Sequence, residues 1–266
     1  MQTNQYESIK IKDNLSDKIS DHLVIEAPLQ ININKQPYTV VMRTPGNDID
    51  LIRGLLYAED IYKGKTSFSF EIEEEKKDFS RIINIQIPKE QLGKGYLNKR
   101  TLLSVSSCGI CGKKELDDIQ MSGDSLINTH TVTQTQIQQM FTQLSSHQET
   151  FKVTGGSHAA AVFNHNNELL AVKEDIGRHN AVDKCIGNLL QNKALKETQV
   201  LLVSGRVSYE IVSKAFFAKI PIIVAVSACS TLAVDFAKEF GICLIGFSRD
   251  TKMTIYANPQ YIHYER

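Results

Sequence analysis

Apolar residues alternate with polar ones along the first third of the chain and then change period. Between residues 23 and 42 the apolar positions are Leu29, Ile31 and Ile33, followed by Tyr38, Val40 and Val41. That alternation predicts two strands, with Pro37 marking the turn between them. Arg43-Thr44-Pro45-Gly46 closes the pair. Asp48 is then placed to cap a helix carrying Ile49, Ile52, Leu55 and Leu56 at helical spacing. Residues 68–72 and 81–87 alternate again across an acidic, lysine-rich turn. Residues 21–100 therefore read as a β-rich subdomain with one helix. Residues 1–20 are polar and read as a flexible, loosely attached terminus.

Residues 101–130 show little periodicity and read as a long exposed connection, a kind of segment that is usually functional or disordered. The remainder, 131–266, is regular. Thr133-x-x-Gln136 has the form of a capping box ahead of a helix with Ile137, Met140, Phe141 and Leu144 on one face. Strands are predicted at 158–163 and 169–173 around the turn Asn164-His165-Asn166-Asn167. A helix at 178–191, a strand at 200–203, a helix at 208–218 and a strand at 222–226 follow. A helix at 231–240 stopped by Gly241, a strand at 242–246 and a last strand at 253–256 complete the chain. Strands apolar on both faces, alternating with helices, predict a mainly parallel sheet covered on both sides, made mixed by its opening hairpin. The fold class is α/β.

The aperiodic connection carries Cys108-Gly109-Ile110-Cys111, followed by Gly112. Lys99-Arg100 and Lys113-Lys114 lie on either side, and nearby positive charge favours thiolate, the reactive form of cysteine. A structural zinc site needs four ligands, usually two such pairs, and no second pair exists, so no tightly bound zinc is expected. A thioredoxin-like pair should follow a strand and open a helix, and this one does not. A third reading is a sulfur carrier, in which one thiolate accepts sulfur as a persulfide and its neighbour assists exchange. Two inert loop thiols are the plain alternative. Cys185, Cys229 and Cys243 fall in or beside apolar elements and read as buried, unreactive thiols.

Polar clusters recur where the C-terminal strands end, the edge at which open α/β sheets bind ligands. They are 155–158 (Gly-Gly-Ser-His), 174–180 (Glu-Asp-Ile-Gly-Arg-His-Asn), 204–208 (Ser-Gly-Arg-Val-Ser), 227–230 (Ser-Ala-Cys-Ser) and 246–249 (Gly-Phe-Ser-Arg). Helix-start N–H groups with Arg178, Arg206 and Arg249 suit phosphate or pyrophosphate. Each cluster also has a structural reading: Asp175 and Arg178 as a cap and a pair, Ser208 as an N-cap, His158 as a core histidine. His179, at a helix start, is the stronger site candidate.

Charge narrows the options. The 266 residues hold 30 basic and 30 acidic side chains, with no basic arm, so no nucleic-acid partner is expected. No run of 18 apolar residues suggests a membrane span and no signal peptide is recognisable. Five cysteines do not suggest a disulfide scaffold.

The segments Ser107-Cys108-Gly109-Ile110-Cys111-Gly112, Gly155-Gly156-Ser157-His158-Ala159-Ala160 and Glu174-Asp175-Ile176-Gly177-Arg178-His179-Asn180-Ala181-Val182-Asp183-Lys184 resemble those of the formate dehydrogenase accessory sulfurtransferases. Ser204-Gly205-Arg206-Val207-Ser208-Tyr209-Glu210, Leu232-Ala233-Val234-Asp235 and Arg43-Thr44-Pro45-Gly46 extend the likeness, which runs from about residue 20 to the C-terminus. The resemblance implies a cytidine-deaminase-like mixed sheet with an N-terminal β-rich part. It implies a cytoplasmic sulfur carrier that takes persulfide sulfur from a cysteine desulfurase. The sulfur then passes to the molybdenum (or tungsten) bis(molybdopterin guanine dinucleotide) cofactor of the formate dehydrogenase catalytic subunit. By the same resemblance Cys108 bears the persulfide and Cys111 is the second thiol. Phe247, Ser248, Arg249, Asp250, Thr251 and Lys252 contact the nucleotide portion. Arg178, His179, Arg206 and Ser208 are the further cofactor-binding candidates. A homodimer is expected from the two similar halves of such a ligand. Deamination is not expected, because the helix starts lack the His-x-Glu and Pro-Cys-x-x-Cys residues of zinc deaminases. Two rivals remain open: a cofactor-binding chaperone that transfers no sulfur, and a thiol-redox enzyme.

Overall fold

The structure is a computed structural model that describes residues 2–64, 68–96 and 123–264. Cys108 and Cys111 lie outside the described residues.

The chain opens with β1 (Thr3–Lys12) and β2 (Leu15–Val24), an antiparallel hairpin with Lys12 opposite Leu15. Sequence alone leaves 1–20 as a loose terminus; the structure instead pairs it. The signal is the two-residue turn Asp13-Asn14, both at positive φ, a geometry that suits the twist of a tight hairpin. Few apolar residues mark the strands because almost none of the hairpin is buried.

Next come β3 (Ala27–Ile33), β4 (Gln36–Arg43), α1 (Asp48–Ala58), β5 (Ser69–Glu75) and β6 (Arg81–Gln86). They form a four-stranded sheet in the order β4-β3-β6-β5, with α1 packed over Leu29, Ile31, Ile83 and Ile85. Two local expectations change. The turn is Asn34-Lys35, again both at positive φ, and Pro37 lies inside β4. Proline is tolerated there because β4 is an edge strand. Asp48 is the first helical residue and not the cap, which is Asn47; its carboxylate instead holds Arg43 at 3.0 Å and Arg81 at 2.9 Å.

The C-terminal part runs β7 (Val132–Thr133), α2 (Gln134–Ser146), α3 (Glu149–Thr154), β8 (His158–Asn164), β9 (Leu169–Asp175), α4 (Arg178–Gln191), β10 (Thr198–Val203), α5 (Tyr209–Phe217), β11 (Ile222–Ala225), α6 (Thr231–Glu239), β12 (Cys243–Arg249), β13 (Lys252–Ala257) and β14 (Ile262–His263). Six strands make one mixed sheet in the order β13-β12-β11-β10-β8-β9, parallel through β10, β11 and β12. This is the cytidine-deaminase-like sheet the resemblance implies. The capping box forms as expected, Thr133 Oγ1 accepting from Gln136 N and Gln136 Oε1 from Thr133 N. Alternate strand residues face two cores. Ala160, Val162, Leu201 and Ile223 meet α4, α5 and α6; Ala161, Phe163, Leu202 and Val224 meet α2.

The two sheets are joined through α1 and α4. Any Cβ on Gly54 would stand 1.9 Å from Asp183 O, and one on Gly187 would stand 1.8 Å from Asp50 O. The helices therefore cross backbone to backbone. Around the crossing, Asp50 binds Lys173 at 2.9 Å and accepts from Asn188 and Gln191. No helix among the described residues is long and apolar enough to cross a membrane.

Candidate functional site

The five polar clusters meet at one edge of the six-stranded sheet. Ser204 N donates to Ala159 O, Val226 N to Val203 O and Phe247 N to Ser227 O, so the segment after β10 lies beside the start of β8, and the ends of β11 and β12 follow it in turn along the edge. The segment after β9 joins them through the pairing of His158 with Asp175. Helices α4, α5 and α6 and the β12–β13 turn begin there.

The clusters divide between the two faces of the sheet. On the α2 side a cavity of about 900 Å³ is lined by Gln138, Lys152, Ser204, Val226 and residues 248–251, among others. Its floor is the turn between β12 and β13. Gln134 Nε2 donates to Thr251 O and Gln138 Nε2 to Asp250 O, both at 2.6 Å, so consecutive turns of α2 hold two carbonyls of that turn. Arg249 Nε donates to Val226 O, which ties the guanidinium to the end of β11, and the residue is otherwise exposed. Phe247 is half exposed and takes φ +51°, an uncommon conformation for a residue with a large side chain. Ser248, Arg249, Asp250 and Thr251 thus line the cavity, while Phe247 and Lys252 flank it.

Arg178, His179, Arg206 and Ser208 do not line that cavity. They gather at the starts of α4 and α5. The Ser208 hydroxyl donates to Glu210 Oε2 at 2.9 Å, and His179 Nε2 lies 3.0 Å from the same hydroxyl and 2.9 Å from the same carboxylate oxygen. Ser208 is the N-cap residue of α5 by position but makes no side-chain cap; its hydroxyl is committed to this triad. His179 Nδ1 and Arg178 Nε are buried without a hydrogen-bond partner. Arg206 is exposed. His158 sits among them, and its imidazole is held below its ordinary pKa, first by burial and then by the Arg178 charge, with Asp175 opposing.

Asp175 does not pair with Arg178. Its carboxylate is fully buried, bound by Lys184 Nζ at 2.7 Å, and accepts from Thr44 N, Gly177 N and Asn180 Nδ2. Lys184 also donates to Thr44 O, and Thr44 Oγ1 accepts from Ile176 N. The segment after β4 is thereby fastened to the segment after β9. Glu174 has a similar structural task, accepting from Thr150 N and Phe151 N at the start of α3 and from the Ser157 hydroxyl.

Burial pushes the Cys185 and Cys243 thiols up to about 12 and the Cys229 thiol up to about 11. These three are poor nucleophiles near neutral pH. Lys152, Gln134, Gln138 and Glu210 are additions that strand-and-helix patterning does not single out. The spacing of Gln134 and Gln138 was the available signal, since i and i+4 share a helix face.

Fold and site together define an α/β protein with an open cavity of about 900 Å³ at the end of a mixed six-stranded sheet. A family model described as FdhD/NarQ matches residues 24–263, and the chain belongs to that family. It is 38% identical to the "Sulfur carrier protein FdhD" of Sulfolobus acidocaldarius, over 98% of this chain and 99% of that protein. It is 39% identical to the protein of the same name from Streptomyces coelicolor, over 98% and 95%. A crystal structure from Desulfotalea psychrophila, described as a formate dehydrogenase accessory protein, superposes with a TM-score of 0.75, over 99% of this chain and all of that one, at 21% identity.

Proposed function

We propose that this protein is a sulfur carrier for the maturation of formate dehydrogenase, binding the guanine-dinucleotide form of the molybdenum cofactor as its substrate. The name shared by its relatives supports the carrier role. The observation that carries the cofactor reading is the cavity beside residues 248–251: its volume suits a nucleotide, and Lys152 and Arg249 bring positive charge to it. Phe247, Ser248, Arg249, Asp250, Thr251 and Lys252 hold the nucleotide portion. Arg206, exposed at the same sheet edge, meets phosphate that extends beyond the cavity; Arg178, His179 and Ser208 shape that end from the second face.

The sulfur step belongs to Cys108. Its thiolate attacks the outer sulfur of a persulfide on a cysteine desulfurase; a new S–S bond forms on Cys108 and the donor leaves as a thiolate. Cys111 assists release. The acceptor is the cofactor of the formate dehydrogenase catalytic subunit, and the compartment is the cytoplasm.

A persulfide trap tests this reading. The reduced protein is incubated with an active desulfurase and cysteine, alkylated, and the peptide containing Cys108 is weighed. One added sulfur, lost on reduction and absent from Cys108→Ala, is expected. Absence of added sulfur on both Cys108 and Cys111, with guanosine diphosphate still bound, would replace the carrier by a cofactor chaperone. A Cys108–Cys111 disulfide that cycles with thioredoxin would replace it by a redox enzyme.

A further inference from the structure

The ligand cavity occupies one end of the six-stranded sheet, and the other end carries two histidines with no part in it. Strand β8 starts at the ligand edge with His158 and finishes at Asn164, so the turn into β9 lies at the opposite end. Residues 126–130 run along that end. Leu126 N donates to Phe240 O, shortly before β12, and Gln199 Nε2, near the start of β10, donates to Asn128 Oδ1 at 3.0 Å. The segment then sets the His130 ring against the His165 ring of the β8–β9 turn, with centroids 5.5 Å apart and planes tilted by 34°. Both residues are exposed, and no hydrogen bond among the described residues engages their ring nitrogens. The backbone beneath each ring is braced. Asn128 Oδ1 accepts from His130 N, and Asn128 Nδ2 donates to His130 O. Asn164 Oδ1 accepts from Asn166 N and Glu168 N, closing the turn around His165.

The ring spacing fits a bound metal ion. Imidazole is a common protein ligand for zinc, copper and nickel. With a zinc–nitrogen bond of about 2.0 Å, each ring centroid stands about 3.2 Å from the metal, and a tetrahedral angle sets the two centroids about 5.2 Å apart. The observed 5.5 Å lies close to that value. Turning an exposed imidazole over exchanges its carbon and nitrogen positions, so each ring can offer a nitrogen without moving its backbone. Among the described residues no group of three or more metal-ligating side chains gathers. Glu168, in the same turn as His165, adds negative charge, but its Oε2 accepts from Asn164 Nδ2. The site is therefore a pair completed by water, and weaker than a four-ligand structural zinc centre.

We propose that His130 and His165 bind one divalent transition-metal ion between them, with zinc as the representative ion. The ion ties the segment ahead of β7 to the β8–β9 turn. Those two pieces are distant in sequence, so the unfolded chain does not hold the rings together. A metal bound only by the folded chain stabilises it by mass action. The pair lies at the opposite end of the sheet from the cavity, and this site does not depend on the sulfur-carrier reading.

Histidine modification of the full chain by diethyl pyrocarbonate, mapped by mass spectrometry with and without zinc chloride, tests it. Zinc is expected to slow modification of His130 and His165 together and to leave the exposed His147 and His263 unchanged. Because protection is read ring by ring, zinc held by Cys108 and Cys111 does not enter this readout. In His165→Gln the protection of His130 should be lost. In thermal unfolding, zinc should raise the midpoint of the wild type more than that of His130→Gln/His165→Gln. Unchanged modification of both rings at millimolar zinc overturns the proposal and leaves a ring contact only. So does protection of His130 that survives in His165→Gln with an unaltered circular dichroism spectrum, or an equal midpoint shift in the wild type and the double variant.

Discussion

The two sides of the sheet edge use the same residue types for opposite ends. On the α4–α5 side, charged groups face one another, Lys184 with Asp175 and Lys214 with Asp183, and the His179 imidazole meets the Glu210 carboxylate. These groups are buried, and their partners are fixed by the fold. On the α2 side, Arg249 and Lys152 touch only backbone carbonyls and stand beside an open cavity. A basic residue near this edge is thus no marker of a ligand by itself. What separates the two cases is whether the structure already supplies the counter-charge.

The sharpest break between the sides is in stability. Lys184→Met removes the positive partner of a carboxylate with no access to water. The remaining hydrogen bonds from Thr44, Gly177 and Asn180 do not cancel its charge, so a loss of about 3–5 kcal/mol is expected in denaturant unfolding. Arg249→Ala should leave the unfolding midpoint in place. An equal loss in both variants would erase the distinction. The α1–α4 crossing is next in size. Gly187→Ala drives a methyl into the Asp50 carbonyl and must push two helices apart, costing about 3 kcal/mol.

Much of this architecture is legible in the sequence, for physical reasons that vary by region. The C-terminal strands are apolar on both faces and the helices between them have clear ends, so period and caps define them; α4 begins and ends at the predicted residues. The clustering at one edge follows from topology once the strands are parallel. The hairpin β1–β2 was hidden because alternation reports burial, and neither of its faces is buried. Pro37 misled because a proline inside an edge strand looks the same as one in a turn. The division of the site was not legible either. Which carboxylate at the edge is already neutralised depends on tertiary contacts, such as Lys184 with Asp175, which Thr44 also reaches from more than a hundred positions away. Cys108 and Cys111 are read as a reactive pair from their spacing, their basic flanks and the resemblance, and they lie outside the described residues.

Binding should separate the sides in the reverse order. Arg249→Ala removes a cation beside the cavity, and guanosine diphosphate affinity by calorimetry should fall on the order of tenfold. His179→Ala leaves the Glu210 carboxylate without its imidazole and should cost about 2 kcal/mol of stability. It should change nucleotide affinity little. A tenfold loss of affinity in the His179 variant, with stability unchanged, would move the nucleotide across the edge and place it against α4 and α5.

The smallest expected effect lies between the two sides, at His158. Its folded pKa is held below the unfolded value, chiefly by burial and by Arg178. In the window between the two values the unfolded chain binds the proton and the folded chain resists it. Stability therefore falls as pH drops through the ordinary histidine range, near 6.5, and levels off below the folded pKa. Above that range the group contributes no pH dependence. His158→Gln should flatten this part of the stability profile. An anion bound near Arg178 and Arg206 would reverse the sign, because it would favour the protonated imidazole. Measuring the profile with and without guanosine diphosphate thus asks whether the ligand's phosphates extend from the α2 cavity to the opposite side of the edge.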